Sequence, residues 1–200
     1  MKSERIIRHH FSTFIGASIW YTTIYKFYQC SNLTDITIPK SVTTIGQEAF
    51  YGCTGLTNLM IPNSVTTIGD GAFWSCSGLT SMTIPNSVTT IGNFVFYQCT
   101  GLTKIMIPNS VTSIGIHAFY SCSRLTSIVI PNSVTTIEAD AFNSCTLNEV
   151  YVSWDTPIET GWLGASYCGT LYVPIGTKAL YAATFPWSMF HEIKEYPSSG

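Results

Sequence analysis

Apolar and variable positions alternate along this chain in a unit that is repeated many times. One unit begins with Leu33, Ile36, Ile38 and Pro39, in the pattern Leu-x-x-Ile-x-Ile-Pro, and its last apolar residues alternate with variable ones. Such alternation predicts a short strand with one buried face. The strand should end at the proline, because proline has no N–H to donate and the Pro-x-Ser segment favours a turn.

The repeated unit is 23 residues long, and most of its positions agree on that period. Six cysteines, which we call the ladder cysteines, recur at this period: Cys30, Cys53, Cys76, Cys99, Cys122 and Cys145. A fixed period of about 20–50 residues is typical of solenoids, propellers and arrays, and this unit is too short for a propeller blade or a helix pair. We therefore predict a repeat solenoid with one short parallel strand per coil and turns or 3₁₀ segments on the other side. Its strands should stack in register at about 4.8 Å.

Each coil is expected to close at a Thr-Gly or Ser-Gly pair, because glycine allows a turn with positive φ. These pairs end in Gly55, Gly78 and Gly101, whereas Arg124 takes the glycine position in a later coil, where the turn should differ. The coils bury their apolar faces only against one another, so both ends of the stack need caps.

The N-terminal residues 1–30 are interpreted as a degenerate coil that caps the regular array of residues 31–152. Subtracting one period places Ile15 at the position of Ile38. The alternative is a signal peptide, with a basic start followed by the apolar segment 11–21. The serines and threonines in that segment weaken the alternative.

Residues 153–200 are predicted to form an irregular last coil and a C-terminal cap, in one domain with the array. The last strand is expected at Leu171–Val173, and Thr177 is the expected N-cap of a short helix over Lys178–Ala183. The aromatic and apolar residues expected to close the open end of the core are Phe185, Trp187, Phe190 and Ile193.

The amino-acid composition argues against several classes of function. Charged residues make up only 10% of the 200-residue chain, against about 25% in an ordinary domain, while hydrophobic residues reach 46%. The net charge of −2 argues against binding to nucleic acid or to an anionic membrane surface. No apolar run approaches the roughly 18 residues that a membrane-spanning helix needs.

The unit Leu-x-x-Ile-x-Ile-Pro-x-Ser-Val-Thr-x-Ile-Gly-x-x-Ala-Phe-x-x-Cys resembles the BspA-like class of leucine-rich repeats, over residues 27–152. The segment Leu171-Tyr172-Val173-Pro174 and the aromatic tail resemble the last coil and cap of such proteins. This resemblance implies a right-handed, curved solenoid with its sheet on the concave side. It also implies a secreted or surface protein of bacteria or of some protists, acting in adhesion or protein recognition. The family shares no catalytic residues, so the resemblance implies none here.

The cysteine ladder is expected to consist of buried free thiols. Metal sites need three or four ligands that converge on one point, whereas stacked cysteines form a line. Disulfides between neighbouring coils need a specific Cβ geometry that parallel side chains do not offer. Cys168 lies off the ladder and is the cysteine expected to differ from the others.

The sequence carries no enzyme signature, no phosphate-binding loop, and no pattern that calls for a metal or a cofactor. A weak alternative is a hydrolase built around Asp155, Glu159 and His191 in the irregular C-terminal region. The stacked aromatic residues that follow each repeat phenylalanine are expected to form a half-buried structural ladder, with glycan or peptide stacking as the alternative. They are Tyr28, Tyr51, Trp74, Tyr97 and Tyr120.

The outward positions of the predicted strands are the best candidates for a binding site. Their side chains become more apolar and aromatic toward the C-terminus, and exposed apolar stripes mark interaction surfaces. Met106, Tyr151 and Tyr172 are the expected anchors, and Lys104 and Glu149 are the expected orienting charges. The full candidate set is Met60, Thr83, Lys104, Met106, Val129, Glu149, Tyr151 and Tyr172.

Two classes of function remain. The first is a non-catalytic recognition or adhesion module whose partner is a protein, such as a host matrix or surface protein, or a glycan. The second is a structural spacer or envelope component, in which the repeat serves only as a rigid rod.

Overall fold

The computed structural model describes residues 23–24, 27–161, 163–164, 167 and 169–197. Successive repeat units lie one above the next as the coils of a solenoid, and their equivalent strands pair in parallel. The repeat solenoid predicted from the 23-residue period is therefore confirmed. The N-terminal residues 1–22, including Ile15 and the alternative signal segment, lie outside the described residues, as does Cys168.

Residues 36–38 of the first Leu-x-x-Ile-x-Ile unit form no strand, contrary to the prediction. The later segments of this kind form the longer strands of the solenoid, as predicted, and one further strand near the C-terminus was not predicted. The longer strands are β3 (Asn58–Met60), β5 (Ser81–Thr83), β7 (Lys104–Met106), β9 (Ser127–Ile130), β11 (Glu149–Val152), β12 (Thr170–Pro174) and β13 (Glu192–Tyr196). Strands β3, β5 and β7 form one sheet, and β9, β11, β12 and β13 form a second. The two sheets adjoin because β7 contacts β9. We call their common outer surface the strand face.

The structure adds a second strand of two residues to several coils. These strands are β1 (Thr23–Ile24), β2 (Thr44–Ile45), β4 (Thr67–Ile68), β6 (Thr90–Ile91), β8 (Ser113–Ile114) and β10 (Thr136–Ile137). Two residues are too few to show an alternating pattern, so the sequence indicated only that the isoleucine points inward. All six isoleucines are buried.

Identical side chains lie on one another through the core. The phenylalanines from Phe27 to Phe142 form one continuous stack, in which neighbouring ring centroids lie 5.1–5.6 Å apart with interplanar angles of 4–12°. Phe50, Phe73 and Phe96 are fully buried. Each ring is therefore covered mainly by the coil before it and the coil after it.

The turns after the strands follow the predicted chemistry. The backbone N–H of Val65 donates to the carbonyl of Pro62 at 3.0 Å, and Val88 donates to Pro85 at the same distance. On the far side, Cys76 N–H donates to the Phe73 carbonyl at 3.1 Å, and Trp74 N–H donates to the Gly71 carbonyl at 2.9 Å. The predicted turn or 3₁₀ segments are thus runs of successive 3₁₀-type turns.

The expected reason for the coil-closing glycines is wrong. None of Gly55, Gly78 and Gly101 has a positive φ. A Cβ added to Gly78 would instead lie against the carbonyl oxygen of Thr54 in the preceding coil, closer than real Cβ atoms approach. Glycine suits these three junctions because neighbouring coils come into backbone contact there, whereas the later coil has the side chain of Arg124 at the equivalent position.

Within the repeat array, the residues with positive φ, which have the left-handed backbone conformation, lie at two other positions of the repeat, on the far side of the coil. Each coil from the second onward has one such residue in each position, and only two of them are glycines. They are Gln29, Gly52, Ser75, Gln98, Ser121 and Ser144 in one position, and Glu48, Gly71, Phe94, His117 and Asp140 in the other. Left-handed residues other than glycine carry some backbone strain, and here every coil repeats it.

The first described strand does not keep the repeat register. Thr23 pairs with Thr44 and Ile24 with Ile45, an offset of 21 residues, whereas Phe27 stacks on Phe50 at the full period. The chain from Ile24 to Phe27 is therefore two residues shorter than the equivalent chain from Ile45 to Phe50.

The C-terminal cap contains one strand more than predicted. Leu171–Val173 lies within β12, but β12 is not the last strand, since β13 pairs with it in parallel. The aromatic residue Trp187, in the 3₁₀ helix Trp187–Met189, is fully buried, and so closes the core as expected. Phe185 does not, since 53% of its surface is exposed.

Helix α1 (Lys178–Ala183) has the predicted bounds and the predicted N-cap residue, Thr177, but the Thr177 side chain does not cap the helix. The Thr177 hydroxyl donates to the Pro174 carbonyl at 2.7 Å and does not bond to the helix. The Glu195 carboxylate accepts hydrogen bonds from the backbone N–H groups of Gly176, at 2.9 Å, and Lys178, at 3.1 Å. An acceptor from β13 thus does what a local N-cap side chain usually does.

Candidate ligand-binding face

The strand face carries two parallel rows of outward side chains, one at each alternate strand position. The Met–Tyr row consists of Met60, Thr83, Met106, Val129, Tyr151 and Tyr172, and the Lys–Glu row of Asn58, Ser81, Lys104, Ser127, Glu149 and Thr170. All eight candidate residues of the sequence analysis lie in these two rows. The structure therefore brings them together on one surface.

The apolar members of the Met–Tyr row differ in exposure along the face. Met60 is 86% exposed, Met106 is 60% exposed and Val129 is 56% exposed. Tyr151 and Tyr172 are only half exposed because their rings stack at 4.4 Å with an interplanar angle of 7°. The most exposed apolar residue thus lies nearer the N-terminal end of the row than the predicted anchors do.

The polar groups at the C-terminal end of the face are paired with one another. The Tyr151 hydroxyl donates to the Glu149 carboxylate at 3.4 Å. Partial burial, and then the nearby negative charge of Glu149, raise the pKa of Tyr151 above its usual range. Tyr151 therefore stays neutral and remains a hydrogen-bond donor at physiological pH.

Lys194 and Glu192 extend the two rows by one strand. Lys194 lies beside Tyr172 in register, and its amine is 2.8 Å from the Glu192 carboxylate. The hydrogen bond between the two raises the pKa of Lys194, and the same bond lowers that of Glu192. Sequence reasoning missed both residues because β13 was not predicted, although Ile193 between two charged residues was a signal.

The aromatic ladder on the far side is half-buried from Tyr51 to Tyr120, as predicted, whereas Tyr28 at its end is 53% exposed. Ring centroids lie 4.7 Å apart between Tyr28 and Tyr51, 5.5 Å between Tyr51 and Trp74, and 4.6 Å between Trp74 and Tyr97. The rings of Tyr28 and Tyr51 stack face to face, and Trp74 packs between Tyr51 and Tyr97 at an interplanar angle of 48° to each. Neighbouring rings therefore cover much of one another's surface. This packing favours the structural interpretation over glycan stacking, which needs open ring faces.

Two residues with positive φ, Phe94 and His117, add their rings to this aromatic ladder in the middle of the chain. Phe94 stacks between Trp74 and His117, with centroid distances of 5.4 Å on both sides. The His117 Nε2 is 3.8 Å from the Asp140 carboxylate, and its Nδ1 is buried without a hydrogen-bond partner. These contacts hold the ring within the ladder.

The six ladder cysteines are free thiols, and five of them are buried. Each buried thiol donates to a phenylalanine carbonyl of the preceding coil, as Cys76 does to Phe50 at 3.0 Å. Burial raises the pKa of Cys53 and Cys99 from near 9 to about 12. The thiols are thus hydrogen-bond donors as well as small apolar side chains, and they lack the thiolate character that a nucleophile needs.

The alternative hydrolase residues do not form a site. Asp155, Glu159 and His191 are all exposed, and no hydrogen bond or ion pair among the described residues joins any two of them. Burial and mutual contact are what tune a catalytic pair, and both are missing here. Among the described residues there is also no group of three or more His, Cys, Asp or Glu that could hold a metal ion.

The family assignment rests on the repeat. Residues 22–148 match the family model of the BspA type leucine rich repeat region in six copies. The chain therefore belongs to the BspA-type leucine-rich-repeat family, as its repeat unit indicated. No curated protein matches the chain.

Solved leucine-rich-repeat proteins share this fold. The chain is 28% identical to the leucine rich repeat protein of T. pallidum, with a TM-score of 0.55, over 78% of this chain and 64% of that one. It is 26% identical to a leucine rich cell surface protein of Faecalibacterium prausnitzii, with a TM-score of 0.62, over 88% of this chain and 59% of that one. The pneumococcal vaccine antigen PcpA, at 20% identity and a TM-score of 0.68 over 90% of this chain and 45% of that one, shows the fold alone. The chain thus spans less than two thirds of the length of these proteins.

In the described part of the chain, no helix has both the length and the apolar character needed to cross a membrane.

Proposed function

We propose that this chain is a non-catalytic recognition or adhesion module of a secreted or surface protein of bacteria, and that it binds a protein partner through the strand face. The observation that carries the proposal is the exposure of Met60, Met106 and Val129 in one row of that face. Threonine, as in Thr83, would form the strand equally well without exposing apolar surface. Apolar side chains aligned on a solvent-facing sheet are typical of an interaction surface.

The strand face also has polar groups that can orient a ligand. Tyr151 and Tyr172 offer large rings with polar tips, a side-chain type enriched at interfaces. Lys104 and Glu149 lie in the neighbouring row and supply one charge of each sign. Similarity to a leucine rich cell surface protein supports a surface location.

The test is a binding assay on purified host matrix proteins, host surface proteins and a glycan array. The row variant Met106→Ala/Tyr151→Ala/Tyr172→Ala should lose a partner that the unchanged protein binds, since truncating each interface anchor typically costs about 1–3 kcal/mol. The matched control is Tyr51→Ala/Tyr97→Ala in the aromatic ladder on the far side, which should keep the partner. Thermal unfolding of each variant separates loss of binding from loss of fold.

Two results would overturn this proposal. If the control loses the partner while the row variant keeps it, binding occurs on the far side of the solenoid. If no protein or glycan binds, the structural spacer is favoured. The observation that supports a rigid rod is the uninterrupted phenylalanine stack from Phe27 to Phe142.

A further inference from the structure

We propose that the segment received by the strand face is an amphipathic α-helix lying across the strands, with an acidic residue over Lys104 and a basic residue two turns away over Glu149. This inference rests on the proposed function and names the class of its partner. It is derived from the spacing of the two rows and from the position of their charges.

The spacing of the Met–Tyr row is close to the pitch of a helix. Neighbouring strands lie about 4.7–4.9 Å apart, and the Tyr151 and Tyr172 rings keep that spacing at 4.4 Å. A helix has a pitch of about 5.4 Å, so each turn meets one strand with a drift of only about 0.6 Å. An extended segment laid across the strands presents same-side residues about 6.6 Å apart and drifts by roughly three times as much.

The length of the row suits a helix of ordinary size. Met60 and Tyr172 are separated by five strand intervals, which corresponds to about 24 Å. At about 1.5 Å per residue, a helix of roughly 16 residues covers the row. Its apolar stripe would lie on Met60, Met106 and Val129, and would end on the tyrosine pair.

The two charges of the Lys–Glu row match two turns of that helix. Lys104 lies in β7 and Glu149 in β11, with β9 and Ser127 between them, so their strand positions are about 9.6 Å apart. Helix residues seven positions apart lie about 10.5 Å apart on the same side. Neither charge takes part in an ion pair among the described residues, whereas Glu192 and Lys194 neutralise each other at 2.8 Å.

The charges also set the direction of the helix. On the other side of the Met–Tyr row, the residues that follow β3, β5 and β7 are the uncharged and exposed Asn63, Asn86 and Asn109. The exposed charges on that side include Lys40, in the first coil, and Asp155, which follows β11. Reversing the helix while keeping its apolar stripe on the row moves its charged flank to that other side. A helix with its two charges exchanged therefore finds no complementary charge beside β7 in either direction.

The test uses two synthetic 18-residue helical peptides that share one apolar stripe. One places Glu over Lys104 and Lys seven residues away over Glu149, and the other has these two residues exchanged. We expect the matched peptide to bind about tenfold more tightly in fluorescence anisotropy. The reversed protein Lys104→Glu/Glu149→Lys should invert that preference. A third peptide keeps the residues of the apolar stripe and the two charges but has prolines elsewhere that break the helix. It should bind more weakly than either helical peptide.

The outcomes separate this inference from the proposed function. Equal binding of the two helical peptides, no inversion by the reversed protein, no binding below about 1 mM, or equal binding of the proline peptide each overturns the helix. If the row variant still loses its protein partner in any of these cases, the strand face binds a different class of segment. If the row variant keeps its partner, the proposed function fails as well.

Discussion

The thiol of Cys76 donates a hydrogen bond to the backbone carbonyl of Phe50, 26 residues earlier and one coil below, at 3.0 Å. The Phe50 carbonyl also accepts the backbone N–H of Cys53 at 3.1 Å. One carbonyl thus joins a turn within its own coil to the next coil. Because the arrangement recurs from Cys53 to Cys145, the cysteine ladder links coils by hydrogen bonds and not by disulfides.

Thiol reactivity should follow burial along this ladder. Cys53 and Cys99, whose pKa is raised to about 12, should resist alkylation in the native protein at pH 8. Cys30 is half-buried and should react first. Peptide mapping by mass spectrometry assigns each site, and the same reaction in denaturant is the control. Rapid native labelling of Cys99, or a disulfide between two ladder cysteines, would contradict the structure.

Stability should fall at alkaline pH because of the same thiols. The pKa of Cys99 is near 9 for an exposed thiol and about 12 in the folded protein. The unfolded state therefore releases its proton first, so this stabilising contribution is complete below pH 9 and is lost between pH 9 and 12. The expected slope is about 1.4 kcal/mol per pH unit for one thiol.

The variant Cys99→Ala isolates that slope. Near pH 7 it should be less stable by about 1 kcal/mol, because it loses the hydrogen bond to the Phe73 carbonyl. The difference should shrink above pH 9 and then change sign, measured as the free energy of unfolding in urea. Parallel curves for the two proteins from pH 7 to 11 would show that the Cys99 thiol does not contribute.

Removal of a central ring should cost more than removal of an end ring. Phe96→Ala removes a fully buried side chain that stacks on Phe73 and Phe119, and it should cost about 3–5 kcal/mol. Phe27→Ala should cost less, because Phe27 is only partly buried. Urea unfolding measures both, and equal losses would contradict a stack whose energy comes from neighbouring coils.

Gly78, at its coil junction, should not tolerate a methyl group. Gly78→Ala would place its Cβ against the Thr54 carbonyl oxygen, so the coils must separate, at a cost of about 1–3 kcal/mol. Gly161→Ala is the matched control, because nothing lies within 4 Å of its added Cβ. We expect that control to stay within about 0.5 kcal/mol of the unchanged protein, measured by thermal unfolding. Equal effects at the two sites would show that junction contact does not require glycine.

Most of the array follows from the repeat. The buried positions Leu56, Leu59 and Ile61, the turn at Pro62 and the phenylalanine stack were all predictable, because a constant period forces equivalent residues to lie on one another. The helix Lys178–Ala183 was predictable from its local pattern. The candidate face was predictable as two rows, because strand residues alternate in direction.

Other features depend on neighbours that are distant in sequence or belong to another coil. Gly78 is required by the Thr54 carbonyl of the coil below, and α1 is capped by Glu195 from β13. The half exposure of Tyr151 results from its stacking on Tyr172. Periodicity specifies which residues face inward, because that depends on the direction of each side chain along its own strand. Contacts between coils and at the cap depend on three-dimensional distance, so only the tertiary structure decides them.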